Sequence, residues 1–363
     1  MCAKAKRQQH QLCRGLIDKT IGSVEDEGWY LLWSKSCGGR RAPYAESRTT
    51  DALVRILTGG ICGTDINIVK AGSEMGIRFG SEFGHEMFGE IVEVGADVEN
   101  DLKVGMRVGV NPITAKRAGR RYSLEVGAFS QYVLIEDAAL NTNLFAFADS
   151  VTAEEAVLME SMSVGFHGVF SVEPKPGEKI VVLGAGPIGL SAAAGLIGEG
   201  IKDVCVVDID DWRLAKAKEL GALTVNTMTE SLAEGVAKHF GDVNVYGVNV
   251  PDVDAFVDAA GAPVLFEQVV NIVKPNARIA IIAVYKNEVS VSLSQVMSKE
   301  VKIIGASGYT NDDILKVIDH INQKKTNIST MVTHTYKLDD IQAAFDTAIA
   351  AKETIKVIVD LTE

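Results

Sequence analysis

The spacing of hydrophobic positions changes along the chain, and the change divides it. From Asp51 the stretch DALVRILTGG alternates apolar and polar residues and ends in glycines, the pattern of a half-buried strand entering a turn. FGEIVEVGADV, VGMRVGVNP and GAFSQYVLIE read the same way, which predicts a β-rich domain to about residue 150. TAEEAVLMESMSVGFHGVF reads as helix, with Thr152 as its N-cap and Glu155 at capping-box spacing. After the Pro-rich break VEPKPGEK, short apolar runs alternate with helical stretches: KIVVLG with PIGLSAAAGLIGEG, then VCVVD with DDWRLAKAKELGA. AFVDAAG, RIAIIAVY and VKIIGASGY are further strands, and the whole predicts a parallel α/β sheet. Two amphipathic helices, NDDILKVIDHINQK and DDIQAAFDTAIA, and a final strand, IKVIVDL, complete the chain. The Pro-rich break marks the boundary between the β-rich domain and the α/β domain.

Before Asp51 no alternation supports an element. The first fifty residues carry nine Lys/Arg against five Asp/Glu, although the whole chain of 363 residues is at -12. Residues 1–48 are therefore expected to be an irregular, largely mobile extension. The acidic balance of the whole argues against a nucleic-acid partner. The five cysteines are scattered, with no C-x-x-C pair, which points to a reducing, cytoplasmic setting rather than a disulfide framework. Ile180 to Gly198 carries no charge, but GAGPIG interrupts it, so a buried strand and helix are expected there and not a membrane span.

Two groups of residues carry chemistry. VVLGAGPIG places Gly184, Gly186 and Gly189 in the order G-x-G-x-x-G, with Pro187 and Ile188 between the last two, after a strand and before a helix. In that setting the glycines allow a tight turn, close approach of backbone to a pyrophosphate, and close helix packing. Asp208 ends the next strand, where an acid hydrogen-bonds the adenosine ribose and repels a 2′-phosphate, favouring NAD over NADP. Arg213 is either a partner for such a phosphate or a solvated helix residue. The second group is Cys62 in GICGTD, His85 and Glu86 in FGHEMFG, and Glu160 in LMESMSVGFHG. Singly, each has an ordinary structural reading: a small buried hydrophobe, a satisfied core histidine, solvated carboxylates.

Together, GICGTD, GHE and GAGPIG, in that order, resemble the medium-chain dehydrogenase/reductase family, in its zinc-dependent alcohol and polyol branch of sorbitol- and threonine-dehydrogenase-like enzymes. VGMRVGVNP and THTYKLDDIQAAFDTA are also similar to family segments. The resemblance implies a GroES-like catalytic domain made of residues 1–168 and 308–363, and a Rossmann domain at 169–307. It implies a catalytic zinc on Cys62, His85 and Glu160, with Glu86 as an alternate ligand or a supporting group, a donor set that suits zinc. It implies hydride transfer between a secondary alcohol or polyol, or the corresponding ketone, and NAD held in an interdomain cleft. Thr64 would then relay the alcohol proton, and the chain would form a homodimer or homotetramer. Three features depart from the pattern. The segment ITAKRAGRRYSLEVGAFSQY lacks the cysteines of a structural zinc, so one zinc is expected. Asn67 stands where many members end the relay with histidine, and Ser161 where a proline often follows the third ligand. The alternatives are a zinc-free quinone or enoyl reductase of the same fold and a non-catalytic nucleotide-binding protein.

Overall fold

A computed structural model of the chain describes residues 27–33, 36–41, 48–71, 82–99, 101–115 and 126–362. Most of the first 48 residues, and with them the expectation of a mobile extension, lie outside the described residues. Two strands nevertheless form there, β1 (Glu27–Trp33) and β2 (Ser36–Arg41), paired antiparallel with Trp29 opposite Gly39. This corrects the absence of any predicted element before Asp51. EGWYLLW is rich in aromatic and aliphatic residues, which favour extended backbone, but it does not alternate, so a period-two criterion passes over it.

The chain forms two compact units. One comprises residues 1–149, 334–352 and 357–363, and the other residues 150–333 and 353–356. In the first, β3 (Ala52–Gly60) leads to α1 (Gly63–Ala71), followed by β4 (Glu86–Val94), β5 (Arg107–Val110), β6 (Tyr132–Ile135) and β7 (Leu144–Ala146). The rings of Phe83, Phe129 and Phe345 pack pairwise at 5.3 to 5.8 Å in its core.

The second unit opens with α2 (Ala153–Ala156) and α3 (Met159–Ser171). The predicted single helix is thus two, and the Thr152–Glu155 capping box starts the first of them. Then come β8 (Lys179–Leu183), α4 (Pro187–Gly198), β9 (Asp203–Asp208), α5 (Asp211–Glu219), β10 (Leu223–Asn226) and α6 (Leu232–Phe240). A hairpin, β11 (Asp242–Val245) and β12 (Val248–Pro251), precedes β13 (Ala255–Asp258). Lys179 and Lys274 brace its exit, bonding Asp252 at 2.7 and 2.6 Å. The unit continues with α7 (Pro263–Ile272), β14 (Arg278–Ile281), α8 (Leu293–Ser298), β15 (Lys302–Gly305) and α9 (Asn311–Asn322). The chain then returns to the first unit in β16 (Val332–Lys337), α10 (Ile341–Ala350) and β17 (Lys356–Asp360).

The strand order β16-β17-β3-β4-β5-β7, with β6 on β3, makes the sheet of the first unit. The order β10-β9-β8-β13-β14-β15 makes a six-stranded parallel sheet in the second. Counted along the chain this is 3-2-1-4-5-6, the doubly wound dinucleotide-binding order, whose reversal falls between β8 and β13. Helices α3 and α9 belong to the compact unit of this sheet. The Pro-rich break at 172–178 marks where the chain enters β8, whereas the packing changes near residue 150. Among the described residues no helix is long and apolar enough to cross a membrane. The uncharged Ile180–Gly198 stretch is β8, a turn and α4, buried on nearly every side.

His320, on α9, is fully buried, with Nε2 2.7 Å from Thr326 Oγ1 and the ring edge-on to Phe166 at 5.4 Å. Burial, assisted by the Lys325 ammonium, lowers its pKa to about 4. The folded state therefore resists a proton that the unfolded chain accepts near its ordinary value. Stability is intact above about pH 6.5 and is lost as pH falls toward 4, by roughly 3 kcal/mol. Urea unfolding at steps between pH 7 and 4 should show that decline. His320→Gln should flatten it, and an equal decline in the variant would assign the effect to other groups.

Candidate active site

The β3–β4 register builds the first group. Gly60 stands opposite Glu86, and two residues beyond Gly60 the chain turns into α1 at Cys62. Cys62 opens that helix, with its carbonyl accepting the Ile66 N–H at 3.2 Å. Asp65, three residues on and fully buried, accepts the Cys62 N–H through Oδ2 at 2.9 Å, the reciprocal half of a capping box. Cys62, His85 and Glu86 each present a ligand atom, and these atoms lie within 4.8 Å of one another. His85 and Glu86 are buried, while Cys62 is half-buried.

Two constraints hold this arrangement. A Cβ on Gly60 would lie 2.3 Å from Glu86 Oε2, so the carboxylate occupies the room a side chain at position 60 would take. The second is Asp65, whose Oδ1 is 3.3 Å from His85 Nδ1, in ion-pair contact but off the line of a hydrogen bond. Burial pushes the His85 pKa down, but the Asp65 carboxylate, seconded by Cys62, outweighs it and holds the imidazole well above its ordinary value. The sequence motifs do not single out Asp65, although it lies within GICGTD. The signal was its spacing of three from the cysteine that it caps. Thr64 Oγ1 is 3.8 Å from Cys62 Sγ, and Asn67 on the same helix is exposed.

A thiolate, an imidazole and a carboxylate are all zinc donors, and bonded to one ion they stand roughly 3.5 Å apart. The observed spread needs only a modest contraction to meet that. Glu160 is in the other unit, half-buried in the first turn of α3. Away from this cluster, Cys205 is a free cysteine buried in β9. Burial, with the nearby Glu230 charge, pushes its thiol up to about 12, so it is chemically quiet.

The second group is brought together at the carboxyl end of β8. Gly184 adopts φ +97°, and a Cβ on Gly189 would lie 1.8 Å from the Gly184 carbonyl oxygen. Both positions require glycine, the first for backbone conformation and the second for space. Gly186 is the N-cap of α4 and Pro187 its first residue, followed by Ile188, so free backbone N–H groups open the helix. Asp208 Oδ2 accepts the Ala185 N–H at 2.6 Å, tying the end of β9 to the turn. Its Oδ1 accepts from Ile209 and Asp210 at 2.7 and 3.0 Å. Arg213 Nη1 lies 3.7 Å from where a Cβ on Gly186 would stand.

The chain is similar to known proteins over most of its length. The alcohol dehydrogenase GroES-like domain model matches residues 48–142, and the zinc-binding dehydrogenase model matches residues 187–323. L-threonine 3-dehydrogenase of Legionella pneumophila is 30% identical over 336 residues, covering 88% of this chain and 94% of that protein. Sorbitol dehydrogenase 1 of Saccharomyces cerevisiae is 30% identical over 324 residues, covering 83% and 88%. An alcohol dehydrogenase of Escherichia coli CFT073, solved with NADH, superposes with a TM-score of 0.77 at 26% identity, covering 93% of this chain and 100% of that one. The two domain models fall one in each compact unit, and the similarity to these dehydrogenases runs through both; the chain belongs to the zinc-dependent medium-chain dehydrogenase/reductase family, in its alcohol and polyol dehydrogenase branch.

Proposed function

We propose that the chain is an NAD-dependent dehydrogenase of a secondary alcohol or polyol, with one zinc held by Cys62, His85 and Glu160. The observation that carries the zinc reading is the convergence of the Cys62, His85 and Glu86 donors within 4.8 Å, while Glu160 enters as third ligand through the family resemblance. With Nδ1 of His85 turned to Asp65, Nε2 is the nitrogen left for the ion, and Asp65 keeps the ring in that orientation. Glu86, against Gly60, serves as the alternate ligand or as a buried countercharge behind the cluster. Bound zinc would supply Lewis acidity to the substrate hydroxyl, and bound coenzyme would take up the hydride.

The chain's own part is to orient and to move a proton. Thr64, close to the Cys62 sulfur, is placed to accept the hydroxyl proton and pass it on. Asn67 has no titratable group and faces solvent, so the proton does not travel by that side chain. In the nucleotide unit, Gly184, Gly186 and Gly189 shape the pyrophosphate turn, with Pro187 and Ile188 opening the helix beneath it. Asp208 presents a carboxylate where the adenosine ribose would lie, and its charge disfavours a 2′-phosphate. The reach of Arg213 toward Gly186 supports reading it as a partner of the pyrophosphate.

Metal analysis of the purified chain should find one zinc. Chelation should abolish activity while circular dichroism keeps its folded signature, because the segment ITAKRAGRRYSLEVGAFSQY has no cysteine to hold a zinc that would supply folding energy. Glu160→Ala should lose the metal and nearly all turnover. Glu86→Ala and Asp65→Asn should be milder, at roughly 10–100-fold in metal affinity or activity. Two zincs per chain, or equal and complete loss in all three variants, would overturn the ligand assignment.

Asp208 sets the coenzyme test. Asp208→Ser should lower kcat/KM for NAD and raise the ratio of NADP to NAD use. The kcat/KM values for both coenzymes, in wild type and variant, measure it. A wild type that prefers NADP would refute the role given to this carboxylate.

A further inference from the structure

The nucleotide unit contains a buried carboxylate that neither the metal cluster nor the fingerprint acid employs. Asp258 ends β13 and is 1% exposed. Its Oδ1 accepts the N–H groups of Ala260 and Gly261, each at 3.0 Å. Its Oδ2 accepts a hydrogen bond from the Tyr285 hydroxyl. Its backbone carbonyl accepts the N–H groups of Ile282 and Ala283 at 2.9 and 3.0 Å. One residue thus pins two loops, the one from β13 to α7 and the one from β14 to α8. All these donors are neutral, so directed hydrogen bonds hold the charge rather than an ion pair, an arrangement that fixes geometry closely.

Both loops leave the carboxyl edge of the parallel sheet beside the glycine turn. A Cβ on Gly184 would come within 3.2 Å of Ala260, and one on Gly261 within 3.1 Å of the Ala283 methyl. β8 and β13 are the neighbours between which strand order reverses, and ligands of doubly wound sheets bind in the crevice at that point. The Tyr285 ring is held independently of its hydroxyl, edge-on to Phe266 at 6.1 Å.

We propose that Asp258 and Tyr285 are a positioning pair for the nicotinamide coenzyme. They hold the two loops in the form that the coenzyme meets, and so set its affinity without touching the reacting atoms. The proposal rests on the reading that this unit binds a nicotinamide dinucleotide. A loop already fixed loses little freedom on binding, whereas a released loop must be ordered at the expense of affinity.

The test is Tyr285→Phe in the full chain. It keeps the ring and leaves the Ala260 and Gly261 donors satisfied. NADH binding, followed by fluorescence titration, should weaken roughly three- to tenfold, up to the scale of one charge-assisted hydrogen bond. The coenzyme KM should rise in step, while kcat at saturating coenzyme stays within about twofold. Zinc content should match wild type, and the melting temperature without coenzyme should fall by only a few degrees, the effect of leaving one Asp258 oxygen buried without its donor. Asp258→Asn, which keeps the shape but not the charge, should weaken NADH binding at least as much. Wild-type affinity in Tyr285→Phe, or a loss confined to kcat, would overturn the pairing. A wild-type chain that binds neither NADH nor NADPH would instead overturn the coenzyme reading on which it rests, before any variant is compared.

Discussion

The candidate metal site depends on one backbone pairing, Gly60 opposite Glu86 at the end of the β3–β4 ladder. Because side chains on a strand alternate faces, a slip of one residue would send Glu86 to the other face of the sheet. The pairing is tolerated only because position 60 has no side chain, since the Glu86 carboxylate fills that space. Cys62, two residues past the glycine, and His85, one residue before the glutamate, are then neighbours without any long-range device. Asp65 locks the result, with one oxygen on the cysteine's backbone and the other facing the imidazole.

Much of this was legible in the sequence, and the reasons are local. The βαβ fingerprint states its geometry in its glycines, and both Gly184 and Gly189 meet the constraints that make glycine necessary there. Thr152 and Glu155 form the capping box that their spacing announces. Strands such as VCVVD, buried on both faces, are visible as unbroken apolar runs. What escaped was either unpatterned or non-local. EGWYLLW forms a strand without alternating. The β11–β12 hairpin interrupts the α/β rhythm with two partly exposed runs of only four residues, DVNV and VNVP, too brief for their alternation to mark them. Asp65 and Asp258 look like ordinary acids until folding surrounds them with donors, and nothing in their immediate neighbours foretells that burial.

The two groups of site residues are built on different physics. The metal cluster is electrostatic: a buried imidazole whose proton affinity is raised by a carboxylate, among donors that a cation would unite. The nucleotide turn is steric and dipolar: small residues, a helix N-terminus, and acids spent on backbone N–H groups. The first tolerates little change in charge and the second little change in volume. Substitutions in the two should therefore fail in different ways, by lost affinity for a cation in one and by lost backbone geometry in the other.

The strand order of the nucleotide unit has a consequence for how it assembles. β8, β9 and β10 are laid down by successive short crossovers, but β13 must return past them, after the inserted hairpin, to pair with β8. The Asp254 carboxylate that receives the Lys179 N–H at 2.8 Å is 75 residues away along the chain. Closing that loop carries the larger entropic cost, so the seam between β8 and β13 joins contacts that are distant in sequence and slow to form. The crevice at the mouth of that seam is where a dinucleotide would lodge. A molecule bound there bridges early-forming and late-forming halves of the sheet, and by mass action it favours the chain in which they have met.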